Sequence, residues 1–349
     1  MNKTRELQLS NNKPWITKVF RWETLLALIL VLLCLGLKIM EPEMVSFGML
    51  IDNSMSFIDK GVIVLSMMLI LVLGEIDISV GSTACLSAVC MAELFNSGVP
   101  FEIAMVLALV IGLICGLING FFITFFKELA PMIVTLATMT IYRGIAYIIL
   151  GDQASGGFPT WFSNLGWGYL APGLPIPINL TIFLVLAVIF YIVIHHTALG
   201  KRIFAIGTNP VASEYNGINV RRIKLGLYTL NGVMSALGGI FLLARLASAR
   251  PNIAEGYELD VIAICVLGGI STAGGKGSVV GAVLSVFLMG YLRYGMNIIN
   301  VPGQIMPMVI GLLLIIVLVI PNLVEDLRTK QKLKRQKQNI SSQQPGEVS

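Results

Sequence analysis

Of 349 residues, 56% are hydrophobic and only 12% charged, about half the charged share of a soluble domain, so water is not this chain's main solvent. The formal net charge is +5, and 16 of the 24 Lys and Arg fall in three stretches: the first 21 residues, the segment 197–224 and the tail after Pro321. Basic clusters placed between apolar runs mark cytoplasmic loops that meet anionic lipid, and exclude nucleic acid as the partner.

Apolar runs long enough to cross about 30 Å of hydrocarbon recur from Leu25 almost to Ile320. They are continuously apolar rather than alternating, which predicts helices and not a membrane barrel. The expected fold class is therefore an all-α integral membrane protein, a bundle of about ten transmembrane helices with glycine-broken segments and no extracytoplasmic domain.

In chain order, residues 1–22 are polar and basic and are expected in the cytoplasm. The first apolar run, 25–37, is read as a retained span, because Met40, Glu41, Pro42 and Glu43 make a poor cleavage site. Spans are predicted near 23–40, 55–73, 80–95, 102–126, 131–150, 179–196, 225–246, 259–270, 278–299 and 304–320. Segments 80–95 and 259–270 are short and flanked by glycine, so each reads as a half-span or a re-entrant piece, and the count lies between nine and eleven. An even count places both termini inside, together with Lys201, Arg202, Arg221, Arg222 and Lys224. The Trp- and Pro-rich loop 151–178 then lies outside, as does the stretch 247–258. The polar tail 321–349 is expected to be disordered and cytoplasmic.

Cys34, Cys85, Cys90, Cys115 and Cys265 all sit within apolar runs with no CxxC pair and read as small core residues. His195 and His196 end a span and are read as interfacial, with no metal site. Trp161, Trp167 and Tyr169 suit either an interface belt or a docking surface.

Three segments hold candidate chemistry. In 208–218, Asn209 is a good helix N-cap, Pro210 suits the first helical position and Gly217 suits a left-handed stop, predicting about two turns of helix. Val211, Ala212 and Tyr215 share one face of it, while Ser213, Glu214 and Asn216 lie elsewhere around it. The residues alone leave a plain connector and a docking helix both open. In 74–82, Glu75, Asp77, Ser79, Gly81 and Ser82 interrupt an apolar stretch. Carboxylates at membrane depth are costly and face protein or a water-filled path; a helix-capping Asp77 is compatible with that. In 267–278, Gly268, Gly269, Gly274, Gly275, Lys276 and Gly277 imitate a phosphate-binding loop, but GxxxxGK[ST] requires glycine at Ile270 and Ser or Thr at Gly277. The segment is read instead as a tight chain reversal. The spacings Gly112, Gly116, Gly120 and Gly277, Gly281 predict close helix packing in lipid.

Arg143, Arg245, Arg250 and Arg293 lie in or at the ends of apolar spans. Tyr142 and Arg143 are candidates for a polar solute path; an arginine so placed also snorkels or pairs with Asp77 or Glu75. A self-contained transporter coupled to ions through Asp77 and Glu75 is the rival from another class.

The segments 74–82, 135–144 (Thr135 through Tyr142, Arg143 and Gly144), 200–217 and 256–281, in this order, resemble the membrane permeases of bacterial ABC importers for pentoses, galactosides and related polar solutes. The runs 247–252, 290–292 and 301–304 are similar first to permeases of autoinducer-2 importers, then to those for rhamnose and ribose. The resemblance implies a permease domain over 23–320 whose cytoplasmic loop 197–224 carries a coupling helix, with Asn209, Pro210, Ala212, Ser213, Glu214 and Gly217 as its residues. It implies a translocation path or hinge at Asp77, Ser79, Gly81, Ser82, Tyr142, Arg143, Gly268 and Gly269. The chain would be a transport subunit, not an enzyme, with no cofactor of its own. ATP and Mg would be used by a separate ATP-binding ABC subunit, with a second permease, an extracytoplasmic solute-binding protein and membrane lipid as further partners in the inner membrane. Ser213 and Tyr215 depart from the smaller or differently polar residues common in that helix, and Glu75 stands where glycine is more usual.

Overall fold

A computed structural model describes residues 22–42, 46–126, 128–171, 173–309, 311, 312 and 315. Residues 1–21, eight of the 17 residues of the expected span 304–320 and the tail 321–349 lie outside the described residues.

A backbone N–H or C=O facing lipid has no water to pair with, so the apolar runs close their hydrogen bonds within helices. The helices are α1 (Trp22–Met40), α2 (Phe47–Ser54), α3 (Ile58–Val72), α4 (Val80–Asn96), α5 (Phe101–Phe125) and α6 (Pro131–Leu150). After the outer loop come α8 (Ile178–His196), α9 (Ala198–Thr208), α10 (Pro210–Tyr215), α11 (Val220–Leu246), α12 (Tyr257–Leu267) and α13 (Val279–Ile298). Six of these, α1, α5, α6, α8, α11 and α13, are long and apolar enough to cross alone, and α2 with α3, bent by 64°, make a seventh if the pair is one span. The glycine-flanked segments expected at 80–95 and 259–270 are the helices α4, of 17 residues, and α12, of 11.

The loop 151–178 is more structured than an all-α reading anticipates. A 3-10 turn (Thr160–Phe162) leads into the short helix α7 (Ser163–Trp167), and β1 (Tyr169–Ala171) pairs antiparallel with β2 (Leu174–Pro177). The loop is fastened down on the bundle: Trp167 donates Nε1–H to the Arg245 carbonyl at 3.0 Å, and the Trp161 ring meets Phe101 edge-on at 5.6 Å. Both tryptophans thus pack against helix ends while keeping one side exposed.

The core is built around α11 and α3. Every residue of α3 except Lys60 is buried, which is why its sequence is apolar all round. By contrast α1, α5, α6 and α8 present long exposed apolar faces, with Ile39 and Ile148 more than four-fifths exposed, as lipid-facing helices do. The expected small-residue stripe on α5 does its work against α11. A Cβ on Gly232 would stand 2.1 Å from the Gly112 oxygen, and one on Gly116 2.3 Å from the Tyr228 oxygen, so the two backbones touch.

Two helices stop inside the bundle in the same way. At the end of α3, Gly74 N–H reaches Leu71 O at 2.8 Å and Glu75 N–H reaches Ile70 O at 3.1 Å; at the end of α12, Gly269 N–H reaches Val266 O at 2.9 Å and Ile270 N–H reaches Cys265 O at 3.2 Å. Gly74 (φ +78°) and Gly269 (φ +81°) supply the left-handed residue that this stop requires. The two turns meet directly, Gly275 N–H donating to Val72 O at 2.8 Å.

The stretch expected outside at 247–258 is drawn inward over most of its length. The Cys85 thiol donates to Pro251 O at 3.2 Å, and a Cβ on Gly81 would be 2.6 Å from Ala254 O. Gly81 opens α4, whose other end, Asn96, bonds Ser155 in the outer loop at 2.8 Å, ~22 Å of helix away. The chain therefore leaves α11 through a left-handed Ala247, pairs with Ser155 at Ala249, and winds inward through consecutive turns over 251–256 before α12 begins at Tyr257.

Replacing Gly232 with leucine is expected to destabilise the protein by about 1–3 kcal/mol or more, because the α5–α11 backbones must separate. A thermal melt of the purified protein in detergent measures it, and an unchanged midpoint would contradict the close approach.

Candidate functional site

The candidate residues of 74–82 enter one buried polar cluster. After α3 ends, Asp77 turns back on Ser79, accepting from its N–H at 2.9 Å and its hydroxyl at 2.7 Å. From α11, Asn231 donates to the other Asp77 oxygen at 2.8 Å, and from α3, Ser66 donates to Asn231 Oδ1 at 2.7 Å. On the opposite flank Asn119 of α5 donates to Ser79 Oγ at 2.7 Å, while Tyr142 of α6 donates to Asn119 Oδ1 at 3.2 Å and to Cys115 O at 3.0 Å. Ser82 closes the turn by donating to Ser79 O at 2.8 Å. Hydrogen bonds thus link four long helices through one carboxylate that has no cation beside it among the described residues. Tyr142 is 4% exposed and lines no open path here. Asn119, Asn231 and Ser66 were not singled out by sequence reasoning; the signal was available, since a lone amide in an apolar helix demands a partner.

Glu75 lies on the side of the bundle that carries α10, sharing a crevice with Pro210 and Glu214. It forms an ion pair with Lys224 and accepts from the Tyr228 hydroxyl at 3.0 Å, both on α11. Asp77 and Glu75 are thus occupied by protein donors, and neither pairs with an arginine as the sequence suggested. Arg245 pairs with Asp59 at 2.8 Å, a carboxylate that also accepts from Tyr257. Arg293 shares Asp260 with Lys60, whose Nζ lies 2.6 Å from it. These carboxylates were overlooked because Asp59 and Asp260 stand at the very starts of helices, where an acid reads as a solvated end.

Arg143 has a different occupation. Its Nη1 donates to Pro251 O at 2.8 Å and Ile253 O at 2.6 Å, carbonyls of the irregular stretch between α11 and α12. A crevice of about 460 Å³ opens beside it, lined by Thr140, Arg143, Tyr147, Glu255 and Glu258 among others. Gly81 leaves room for Ala254 and the Glu258 carboxylate. Gly268 and Gly269 sit apart from this crevice: Gly268 is pressed against Gly281, and Gly269 against Trp22, whose Nε1–H donates to Leu267 O at 2.8 Å.

The segment 209–217 folds as its residues predict. The Asn209 side chain accepts from Ala212 N–H at 2.9 Å, Pro210 opens α10, and Gly217 has φ +78°. Val211 and Tyr215 are 63% and 89% exposed, an apolar face with nothing on it among the described residues. Ser213 points the other way, buried and bonded to Asn209 O at 2.9 Å, so it braces the helix. Glu214 lines a crevice of about 250 Å³ with Glu75, Arg221 and Lys224. The α9 helix that precedes α10 touches both broken turns. A Cβ on Gly207 would be 1.8 Å from Val72 O and 2.7 Å from Gly275 N. On the other side of the bundle, Tyr169 donates to Asp52 at 3.0 Å, and the carboxylate raises that phenol's pKa.

A bundle with two broken helices, a polar interior and one exposed apolar helix on its basic side is the architecture of a solute transporter's membrane subunit. The family model described as branched-chain amino acid transport system / permease component matches residues 49–318, and the chain belongs to that family. It is similar to the autoinducer 2 import system permease protein LsrD of Escherichia coli strain K12 and of Shigella flexneri. Each is 36% identical over 309 residues, covering 86% of this chain and 92% of the relative. LsrD of Escherichia coli O157:H7 matches to the same extent. No solved structure matches the chain. It is a permease component, a transport subunit in the membrane.

Arg143→Ala would leave the Ile253 carbonyl without its donor and Pro251 O with only the weak Cys85 thiol, at a cost of about 1–3 kcal/mol. A fall in the melting midpoint of the detergent-solubilised protein, partly restored by Arg143→Lys, is the expected result. Equal midpoints for wild type and Arg143→Ala would rule out this bracing role.

Proposed function

We propose that the chain is the translocating permease of a binding-protein-dependent ABC importer in the bacterial inner membrane, carrying a small hydroxylated solute, autoinducer-2 or a sugar. The observation that carries this reading is α10: a capped two-turn helix with Val211 and Tyr215 exposed, set immediately after a helix in backbone contact with both broken turns. A helix so placed receives a push from a cytoplasmic partner and delivers it to the segments that hold Asp77 and the foot of α12. The names of the similar proteins make autoinducer-2 the first solute to test.

In this reading the chain crosses ten times: α1, α2 with α3, α4, α5, α6, α8, α11, the half-helical segment 247–267, α13 and the expected last span 304–320. Both termini are cytoplasmic. A separate ATP-binding subunit holds ATP and Mg and docks on Val211, Ala212, Glu214 and Tyr215. A second permease, identical or homologous, completes the path, and an extracytoplasmic solute-binding protein delivers solute to the outer loop. Coupling requires that nucleotide and solute each favour one of two arrangements of the bundle by differential contacts.

Glu214→Arg reverses the charge on the docking helix without touching its caps. ATP-driven uptake of autoinducer-2 by proteoliposomes holding the assembled importer is expected to fall at least about tenfold, equivalent to ~1.4 kcal/mol of coupling, with normal membrane insertion. Unchanged uptake would remove α10 as the docking element. Gly217→Val places a β-branched side chain at φ +78°, where the left-handed backbone costs about 1–2 kcal/mol. Less ATP-binding subunit should then co-purify with the permease, and normal co-purification would count against the assignment.

A further inference from the structure

We infer that the crevice beside Arg143 is a water-filled station on the solute path that admits neutral and cationic hydroxylated solutes and repels anionic ones. The inference rests on the permease reading and assigns it a place and a selectivity.

Three observations carry it. First, the stretch 247–256 is irregular backbone, turning repeatedly over 251–256, and its Pro251 and Ala254 pack beside Cys85 and Gly81, well away from the Asn96 end of α4. Irregular backbone at membrane depth persists only where protein buries it or where it lines an aqueous cavity. Arg143, on α6, meets the first condition for Pro251 and Ile253; the crevice of about 460 Å³ that begins at this guanidinium meets the second. Second, Glu255 and Glu258 join Arg143 in its wall. Glu255 is exposed and Glu258 half-buried, and carboxylates open to hydrocarbon at this depth would be costly, so the side they face is water. Third, the wall chemistry is of one kind. Guanidinium donors, carboxylate acceptors, the Thr140 hydroxyl and the Tyr147 phenol complement a solute whose hydroxyls both donate and accept. Two carboxylates against one guanidinium leave the wall one charge negative. The buried Asp77 cluster offers no comparable place, since its donors and acceptors are spent on one another.

The test uses proteoliposomes holding the assembled importer with Thr140→Cys or Tyr147→Cys, and three methanethiosulfonate probes of similar size: hydroxyethyl (neutral), trimethylammonium-ethyl (cationic) and sulfonatoethyl (anionic). Rates are referred to a small free thiol, with the parent chain as the blank for its five native cysteines. The neutral and cationic probes are expected to react readily, and the cationic one about tenfold faster than the anionic, the ratio that one net charge ~6 Å away in a water-like medium imposes on opposite signs. That ratio should collapse toward one in the Glu255→Gln/Glu258→Gln background. It should also collapse in 1 M salt, which screens over ~3 Å and needs no further variant to fold. No reaction with any probe would mean that the crevice faces lipid or a partner chain, and equal rates for the two charged probes would mean that it does not select charge. Either outcome overturns the proposal, as does a ratio that persists in both the double variant and high salt. Failure of the permease reading would show elsewhere, as absent ATP-driven uptake by the unsubstituted importer.

Discussion

Backbone polar groups that leave a helix inside a bilayer must find partners within the protein, and the structure is arranged around the two places where they do. At the end of α3 the chain turns through 74–79 with Asp77 gathering Ser79 and Asn231; before α12 it winds irregularly through 247–256 with Arg143 gathering Pro251 and Ile253. Each break needs a charged side chain able to form several bonds at once, because a single neutral donor would leave something unpaired. Those same side chains then become the polar interior of an otherwise apolar bundle. Breaks of this kind provide both non-helical backbone near a path and joints about which half-helices can shift.

Such an arrangement holds together only if its helices approach closely, since lipid supplies no hydrophobic drive between apolar surfaces. Gly112 and Gly116 against Gly232 and Tyr228 bring α5 and α11 into backbone contact, and Gly239 does the same for α11 against Ala84 of α4. The central α11 is thus gripped along its length, and it carries both Asn231 for the Asp77 cluster and Lys224 for Glu75. Its inner end follows directly on α10. A displacement of α10 therefore has two rigid routes inward: through α9 and Gly207 to the paired turns, and through Lys224 to Glu75. Neither route passes through lipid-facing side chains, which are free to vary as long as they remain apolar.

How much of this was legible depended on whether the governing interaction is local. The apolar helices, the capped α10 with its Asn209, Pro210 and Gly217, and the small-residue stripe on α5 all follow from spacing and residue type within a few turns of chain. The pairings do not. Asp59 with Arg245 joins positions 186 residues apart, and Asp77 with Asn231 joins positions 154 apart, so residue type and membrane depth suggested Asp77 or Glu75 as arginine partners while the packing chose Asp59 and Asp260 for Arg245 and Arg293. The stretch 247–258 was read as an outer loop because its polarity forbids a lipid-facing span; that polarity equally suits a segment sheltered inside the bundle, and only the packing of Pro251 and Ala254 on α4 distinguishes the two.

By itself, then, the sequence determined that this is a helical membrane protein of the permease kind with a short helix presented on its basic side, because hydrophobic runs, charge placement and caps act over local distances. Only the tertiary structure decided which charges neutralise which, that Tyr142 and Asp77 close into a sealed cluster, and that the open crevice lies at Arg143. Those outcomes depend on which helix faces meet across the bundle, and the meeting is set by glycine contacts between distant segments, which no local pattern encodes.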